Sequence, residues 1–108
     1  MSANGGTQGR RRYQRLSAAE VSAVLSVLPG WSGDTRRLLH TVIVGDADAL
    51  LEQVSAVEAE LDHHAAVKRA GRTVTFTLWT HLCDAVTEAD VELAQQISEL
   101  VARQAVEG

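Results

Sequence analysis

The chain has 108 residues, enough for one hydrophobic core, and with one Phe, one Tyr and two Trp that core must be mainly Leu, Val and Ala. A net charge of −4 at pH 7 argues against a nucleic-acid surface, which needs a concentrated cationic face. A single cysteine, Cys83, excludes an internal disulfide, and because the sequence has no membrane-length apolar run and no secretory signal pattern, we expect a cytoplasmic protein.

The N-terminus is predicted to be a tail outside the domain. Gly, Ser, Asn and Gln are frequent in its first residues, and three consecutive arginines follow at Arg10–Arg12. This composition cannot bury a core, so residues 1–14 are expected to be disordered. Three arginines are fewer than a lipid or nucleic-acid site normally needs, so we interpret them as solvated. The domain is predicted over residues 15–103, with a frayed C-terminus at 104–108.

The first helix has a clear start and a clear end. Ser17, with Glu20 three residues later, matches a capping box, and Pro29-Gly30 ends the pattern. Between these points, apolar residues recur at the spacing of one helix face: Val21, Val24, Leu25 and Leu28.

A hairpin of two strands is predicted next. Trp31 begins the first strand, Ser32–Asp34 supply turn residues, and the apolar segment within Arg36–Val44 is typical of a second, buried strand. His40 lies in this second strand. We interpret it as a half-exposed strand residue without a functional role.

The second helix is predicted to begin near Asp46 and Asp48, whose carboxylates can accept hydrogen bonds from the free N–H groups of a first turn. It is expected to end at Asp62, immediately before a pair of histidines. Its apolar stripe consists of Leu50, Val54, Val57 and Leu61.

A second hairpin follows the histidine pair. The segment AAVKRA, a turn at residues 70–72 and the segment TVTFTLWT predict two strands, the second of which leads to His81. Apolar and polar residues alternate along this second strand. Its parity places His81 on the same face as Trp79 and Thr77.

The last helix is predicted from Thr87, because Thr87 followed by Asp90 matches a helix-start signal. We expect it to fray beyond Ala102. Its predicted apolar face is formed by Val91, Ala94, Ile97 and Val101.

The element order is helix, two strands, helix, two strands, helix. This order predicts an α+β domain in which three helices pack on one face of a four-stranded antiparallel sheet. The bare face and the sheet edges would then favour self-association, so we expect a homodimer or a homotetramer.

Three of the four histidines bracket the second hairpin: His63, His64 and His81. Imidazole both accepts and donates protons near pH 7, so converging histidines suit a reaction such as dehydration, which removes one proton and supplies another. Trp79 on the same face could stack on a flat heteroaromatic ligand.

Simpler interpretations of these residues also exist. Histidines at a helix end can interact with unpaired carbonyl groups, and His81 can simply end a strand. Asp90 is a helix-capping residue and Trp79 a packing residue on this view. A three-histidine metal site is a further alternative, but no carboxylate or cysteine at ligand spacing accompanies the histidines.

Four short motifs follow one another at a characteristic spacing: His63-His64, Thr80-His81, Thr87-Glu88-Ala89-Asp90 and Leu93-Ala94. Together they resemble the pterin-4a-carbinolamine dehydratases, and the resemblance extends from about Leu16 to Leu100. Members of that family eliminate water from a 4a-hydroxytetrahydropterin to give the quinonoid dihydropterin, which recycles tetrahydrobiopterin. The resemblance implies the same hydro-lyase activity here. It implies no metal and no organic cofactor, because the pterin is the substrate.

The resemblance also implies roles for individual residues. His63 would be the acid/base acting around the pterin N5 and the 4a-hydroxyl group, and His81 the second proton-transfer group, with Asp90 supporting them. The residues implied to bind or orient the substrate are His64, Asp62, Trp79 and Thr80.

The sequence departs from the family pattern at several positions around these motifs. Alanine stands at Ala59, Ala65 and Ala89, where the family has a carboxylate, a proline and in some members an arginine. The aromatic residue expected after the histidine pair is missing, with Val67 and Gly71 at the corresponding places. These losses suggest an alternative, a member that has lost catalysis. It would act as a binding or assembly factor, like the RuBisCO assembly factor of carboxysomes or the animal forms that double as a transcription-factor dimerisation cofactor.

Overall fold

The computed structural model describes residues 12–107, with side chains described as far as Gln104. The helices are α1 (Ala18–Ser26), α2 (Ala47–Leu61) and α3 (Glu88–Glu107), and the strands are β1 (Ser32–Gly33), β2 (Leu38–Ile43), β3 (Ala66–Ala70) and β4 (Thr73–Leu78). The four strands form one antiparallel sheet in the order β1-β2-β4-β3. The predicted α+β architecture and its element order are confirmed.

The first two helices begin at the predicted caps. The Ser17 hydroxyl accepts from the Glu20 backbone N–H at 3.1 Å, and the Glu20 carboxylate accepts from the Ser17 N–H at 2.8 Å, which completes the capping box. At the start of α2, the Asp46 carboxylate accepts from the Ala49 N–H at 3.0 Å. That helix ends at Leu61, and its C-cap residue Asp62 adopts a left-handed φ of 54° that turns the chain toward the histidine pair.

One face of the sheet forms the floor of the core. Leu38 pairs with Leu78 and Val42 with Val74 across the β2–β4 ladder, so these residues and Phe76 point to the same side. Leu38, Val74, Phe76 and Leu78 are fully buried. All three helices pack on this face, through Val21 of α1, Leu50 and Val54 of α2, and Leu93, Ala94 and Ile97 of α3.

The first described residue, which falls within the predicted tail, contacts the domain. Residues 1–11 of the predicted tail lie outside the described residues, but Arg12 lies against the domain. Its guanidinium binds the Glu92 carboxylate of α3 and donates to the Leu61 carbonyl oxygen at 3.2 Å. The sequence gives no local sign of this contact, because Arg12 and Glu92 are 80 positions apart.

The last helix is longer than the sequence predicts. It was expected to fray beyond Ala102 but extends to Glu107, while Gly108 lies outside the described residues. Gln104 contributes a tertiary contact at this end. Its side-chain amide donates to the Asp46 carbonyl oxygen at 2.8 Å and accepts from the Asp46 N–H at 3.2 Å, which fastens the helix to the start of α2.

None of the helices in residues 12–107 combines the length and the apolar character that a membrane span requires.

The uncovered face and edge of the sheet support the predicted self-association. All five residues of β3 are exposed, and Ile43 on the helix-free face is 74% exposed. An exposed strand edge and exposed apolar side chains are commonly covered by a second copy of the chain. We therefore expect light scattering at micromolar concentration to give the mass of a dimer or a tetramer. A strict monomer would contradict this expectation.

Candidate active site

A cavity of about 320 Å³ lies where the end of α2, the end of β4 and the segment before α1 meet. Its volume is at the lower end of the range of small-molecule sites. The residues that line it are Tyr13, Asp62, His63, His64, Thr80, His81 and Leu82. The adjacent pair His63-His64 and the distant His81 therefore share one cavity.

The buried carboxylate of Asp90 holds the His63 ring in place by a hydrogen bond. Its Nε2 lies 2.6 Å from Oδ1 of Asp90, and the Asp90 side chain has no exposed surface. Asp90 also accepts from the Thr80 hydroxyl at 2.8 Å and from the Thr87 backbone N–H at 2.9 Å. The carboxylate thus connects the end of α2, the residues after β4 and the start of α3.

The position of Asp90 follows from the helix-start signal. Thr87 precedes α3, and its hydroxyl accepts from the Ala89 N–H at 3.2 Å while Asp90 reaches back to the Thr87 N–H. A carboxylate in the first turn also interacts favourably with the positive end of the helix dipole. The same contacts that begin α3 therefore hold the partner of His63 in place.

The acceptors around His63 determine its neutral tautomer. An Asp90 carboxylate only accepts hydrogen bonds, so Nε2 of His63 carries the proton and donates it. The other ring nitrogen, Nδ1, has no hydrogen-bond partner among the described residues. Every fully buried side-chain nitrogen or oxygen of the described residues does have a hydrogen-bond partner. Nδ1 therefore keeps some contact with solvent, and it is the ring nitrogen available to a ligand.

His81 begins a tight turn at the cavity. Thr80 and Ala85 exchange backbone hydrogen bonds of 2.9 and 3.4 Å, which close the turn formed by residues 81–84. Asp84 adopts a left-handed φ of 52° here, a conformation that Asp tolerates better than most residues other than glycine. The strand itself ends at Leu78, two residues earlier than predicted.

The ring of His81 lies against Trp79. Their ring centroids are 4.8 Å apart with the planes inclined at 37°. The guanidinium carbon of Arg37 lies 4.3 Å from the Trp79 ring centroid, and Arg37 donates to the Asp84 carboxylate at 2.9 Å. This hydrogen bond, together with Arg36, lowers the pKa of the exposed Asp84 carboxyl. The Trp79 ring therefore contacts both Arg37 and His81.

His64 is more exposed than His63 and has a different carboxylate nearby. Its side chain is 77% exposed, and its Nδ1 lies 3.6 Å from Oε1 of Glu58. The other oxygen of Glu58 accepts from the Ala65 N–H at 2.7 Å. The sequence has alanine at Ala59, but the adjacent glutamate supplies a carboxylate to this side of the site.

The seven predicted site residues occupy three kinds of position. Asp62, His63, His64, Thr80 and His81 line the cavity. Trp79 contacts His81 from the side, and Asp90 lies behind His63. Since Asp90 is fully buried, it can act on a ligand only through His63 or Thr80.

Sequence reasoning missed four residues of this region. Glu58 had a signal, because it flanks the position where the carboxylate was expected. Tyr13, Arg37 and Asp84 had none, since each reaches the site through contacts distant in sequence.

A larger cavity, of about 730 Å³, lies between α1 and α3. Its polar lining includes Arg12, Glu88 and Glu92 but none of the histidines in residues 12–104. We take the smaller cavity as the candidate site, because His63, His64 and His81 line it. Across the described residues, no cluster of three or more His, Cys, Asp or Glu side chains is arranged to hold a metal ion.

Comparison with known proteins gives a consistent result. The model of the pterin 4 alpha carbinolamine dehydratase family matches residues 14–100. A Streptomyces coelicolor protein with the provisional name pterin-4-alpha-carbinolamine dehydratase is 42% identical over 91 residues, which cover 81% of this chain and 90% of the relative. A Mycolicibacterium smegmatis protein with the same provisional name is 36% identical over 89 residues, covering 80% and 95% of the two chains.

A solved structure shares the fold. The crystal structure of a transcriptional coactivator/pterin dehydratase from Brucella melitensis superposes with a TM-score of 0.78 at 27% sequence identity. The match covers 82% of this chain and 99% of that one.

Proposed function

The chain belongs to the pterin 4 alpha carbinolamine dehydratase family, and we propose that it dehydrates a 4a-hydroxytetrahydropterin to the quinonoid dihydropterin. The observation that carries this proposal is the convergence of His63, His64 and His81 on one cavity, with His63 held by a buried carboxylate. Such an arrangement provides an oriented imidazole and a second imidazole at the same ligand. That is what an acid/base elimination requires.

The reaction balances with two proton transfers and one bond cleavage. The C4a–O bond breaks, the hydroxyl group leaves as water after receiving a proton, and N5 loses its proton as the new double bond forms. In the neutral tautomer assigned above, Nδ1 of His63 is a base, and protonated His81 is an acid for the leaving hydroxyl group. Reversed roles for the two histidines would use the same groups.

Asp90 supports this chemistry without touching the pterin. As His63 gains a proton on Nδ1, its ring becomes cationic, and the carboxylate 2.6 Å from Nε2 stabilises that charge. Asp90 is therefore a positioning residue for His63. His64 and Asp62, both at the cavity wall, are proposed to orient the pterin, and Thr80 links the wall to Asp90.

The second candidate is a binding or assembly factor without catalysis. It is favoured by an apolar side chain at the cavity rim, since Leu82 is 84% exposed and lies beside His81. The Brucella melitensis structure is named as both a transcriptional coactivator and a pterin dehydratase, so its name combines a binding role with an enzymatic one.

Stopped-flow absorbance distinguishes the two functions. The 4a-hydroxytetrahydropterin is generated in the cuvette, and its conversion to the quinonoid product is followed with and without the protein. We expect the wild-type protein to accelerate dehydration well above the spontaneous rate. Conversion at the spontaneous rate would overturn the proposed dehydratase activity and leave the binding function.

A further inference from the structure

Tyr13 contributes to the same cavity from outside the part of the chain that carries the family pattern. It is the only tyrosine, and it lies one residue before the segment matched by the family model. Tyr13 lines the cavity together with His63, His64 and His81. This cavity residue therefore lies just outside the segment that the family model matches.

The segment that carries Tyr13 is held on both sides. Before it, Arg12 binds Glu92 and the Leu61 carbonyl oxygen, and after it, the Leu16 N–H donates to the Val86 carbonyl oxygen at 3.0 Å. The Arg12 guanidinium carbon also lies 5.6 Å from the Tyr13 ring centroid. Hydrogen bonds to Glu92, and then to Tyr13, raise the pKa of Arg12 above its ordinary value.

The backbone of Tyr13 has a contact of its own with the turn that carries His81. The Cys83 thiol lies 3.7 Å from the Tyr13 carbonyl oxygen, within the range of a weak S–H hydrogen bond. Tyr13 is therefore placed between the end of α2 and the turn after β4. These are the two elements that supply the histidines.

Apart from Tyr13, the residues that line the cavity offer no large apolar ring. Asp62 and Thr80 are small and polar, the histidines are assigned to proton transfer and ligand orientation, and Leu82 is aliphatic. Trp79 does not line the cavity, and its ring contacts Arg37 and His81. Among the described lining residues, Tyr13 therefore carries the one aromatic ring other than the imidazoles.

We propose that Tyr13 is a ligand-binding residue whose ring packs against the pterin, supplied by the N-terminal segment that Arg12 anchors. This inference rests on the proposed function. Aromatic packing contacts the ring in the ground state and in the transition state alike, so it strengthens binding without lowering the barrier of the chemical step. Tyr13 thus determines affinity for flat bicyclic substrates.

Kinetics of Tyr13→Ala and Tyr13→Phe test this role in the full-length protein. We expect Tyr13→Ala to raise KM roughly 3- to 10-fold, the range of one aromatic packing contact, with kcat within about twofold of wild type. Tyr13→Phe keeps the ring and should keep KM. A thermal melt of each variant checks that the fold is retained.

A single fluorine label gives a readout that does not depend on turnover. Incorporation of 3-fluorotyrosine produces one ¹⁹F resonance, because the chain has one tyrosine. Titration with a stable 7,8-dihydropterin should shift this resonance along the same saturation curve as the binding isotherm.

The outcomes separate this inference from the function on which it rests. An active wild-type protein whose KM is unchanged by Tyr13→Ala, and whose ¹⁹F resonance stays in place at saturation, overturns the role of Tyr13 and leaves the dehydratase standing. A wild-type protein that neither binds the dihydropterin nor accelerates dehydration overturns both.

Discussion

Replacement of His63 by alanine is expected to slow 4a-hydroxytetrahydropterin dehydration by roughly 10²–10⁴-fold, the loss typical of a missing general acid or base. The expected loss is large because His63 is the imidazole oriented by a buried carboxylate, 2.6 Å from its Nε2. The variant should also be less stable by about 1–3 kcal/mol, because Asp90 loses a buried hydrogen-bond partner. Stopped-flow assays below the melting temperature of the variant therefore measure the catalytic effect alone.

The other histidines provide matched comparisons for this variant. His81→Ala should lower kcat to a similar extent, whereas His64→Ala should act mainly on KM, since an orienting contact exists in both ground and transition states. His40→Ala is the control. His40 stacks on Trp31 with ring centroids 4.7 Å apart and does not line the cavity, so its loss should leave kcat unchanged. Active His63→Ala and His81→Ala variants would place the chemistry on other residues.

Removal of the Asp90 side chain is expected to cost the largest amount of stability among the site residues. Asp90→Ala leaves the Thr87 N–H, the Thr80 hydroxyl and the His63 ring without their shared buried acceptor. Unsatisfied buried polar groups cost about 1–3 kcal/mol each, and with partial relaxation we expect a total loss of about 2–4 kcal/mol. Urea denaturation followed by the tryptophan fluorescence measures it.

Two further variants test whether the effects of Asp90→Ala come from losing the carboxylate charge or from losing its hydrogen bonds. Asp90→Asn keeps the shape but replaces one acceptor oxygen by an N–H donor, so it should lose less stability than Asp90→Ala while slowing dehydration by at least about tenfold. Glu99→Ala removes an exposed carboxylate of the same helix and should change stability by no more than about 0.5 kcal/mol. If Asp90→Ala were as stable as Glu99→Ala, the hydrogen-bond network around Asp90 would have no structural role.

Local patterns were sufficient to predict the fold. The capping box at Ser17, the Asp46 cap and the period-two strand through Phe76 each report on residues within a few positions, and each is present in the structure. The pairing of β2 with β4 was harder to predict from the sequence. Local patterns indicate the hairpins β1-β2 and β3-β4, but they do not indicate which strand of one hairpin pairs with which strand of the other.

Site residues could be predicted from the sequence only where they lie at the end of a predicted helix or strand. His63 at a helix end and His81 after a strand could meet only if the two elements pack together, and both residues line one cavity. Tyr13 and Arg37 could not be assigned in this way. Their contacts depend on side chains from distant elements, and no periodicity or spacing reports such a contact.

The most direct test of the account is a titration of the histidine ring resonances with a stable 7,8-dihydropterin. The chain has four histidines, so the imidazole signals can be assigned with four single alanine variants. If the cavity at the end of α2 and β4 is the pterin site, the signals of His63, His64 and His81 will shift along one saturation curve while His40 stays in place. Saturable binding that leaves those three signals unchanged would contradict the account, because the pterin would then bind elsewhere on the protein.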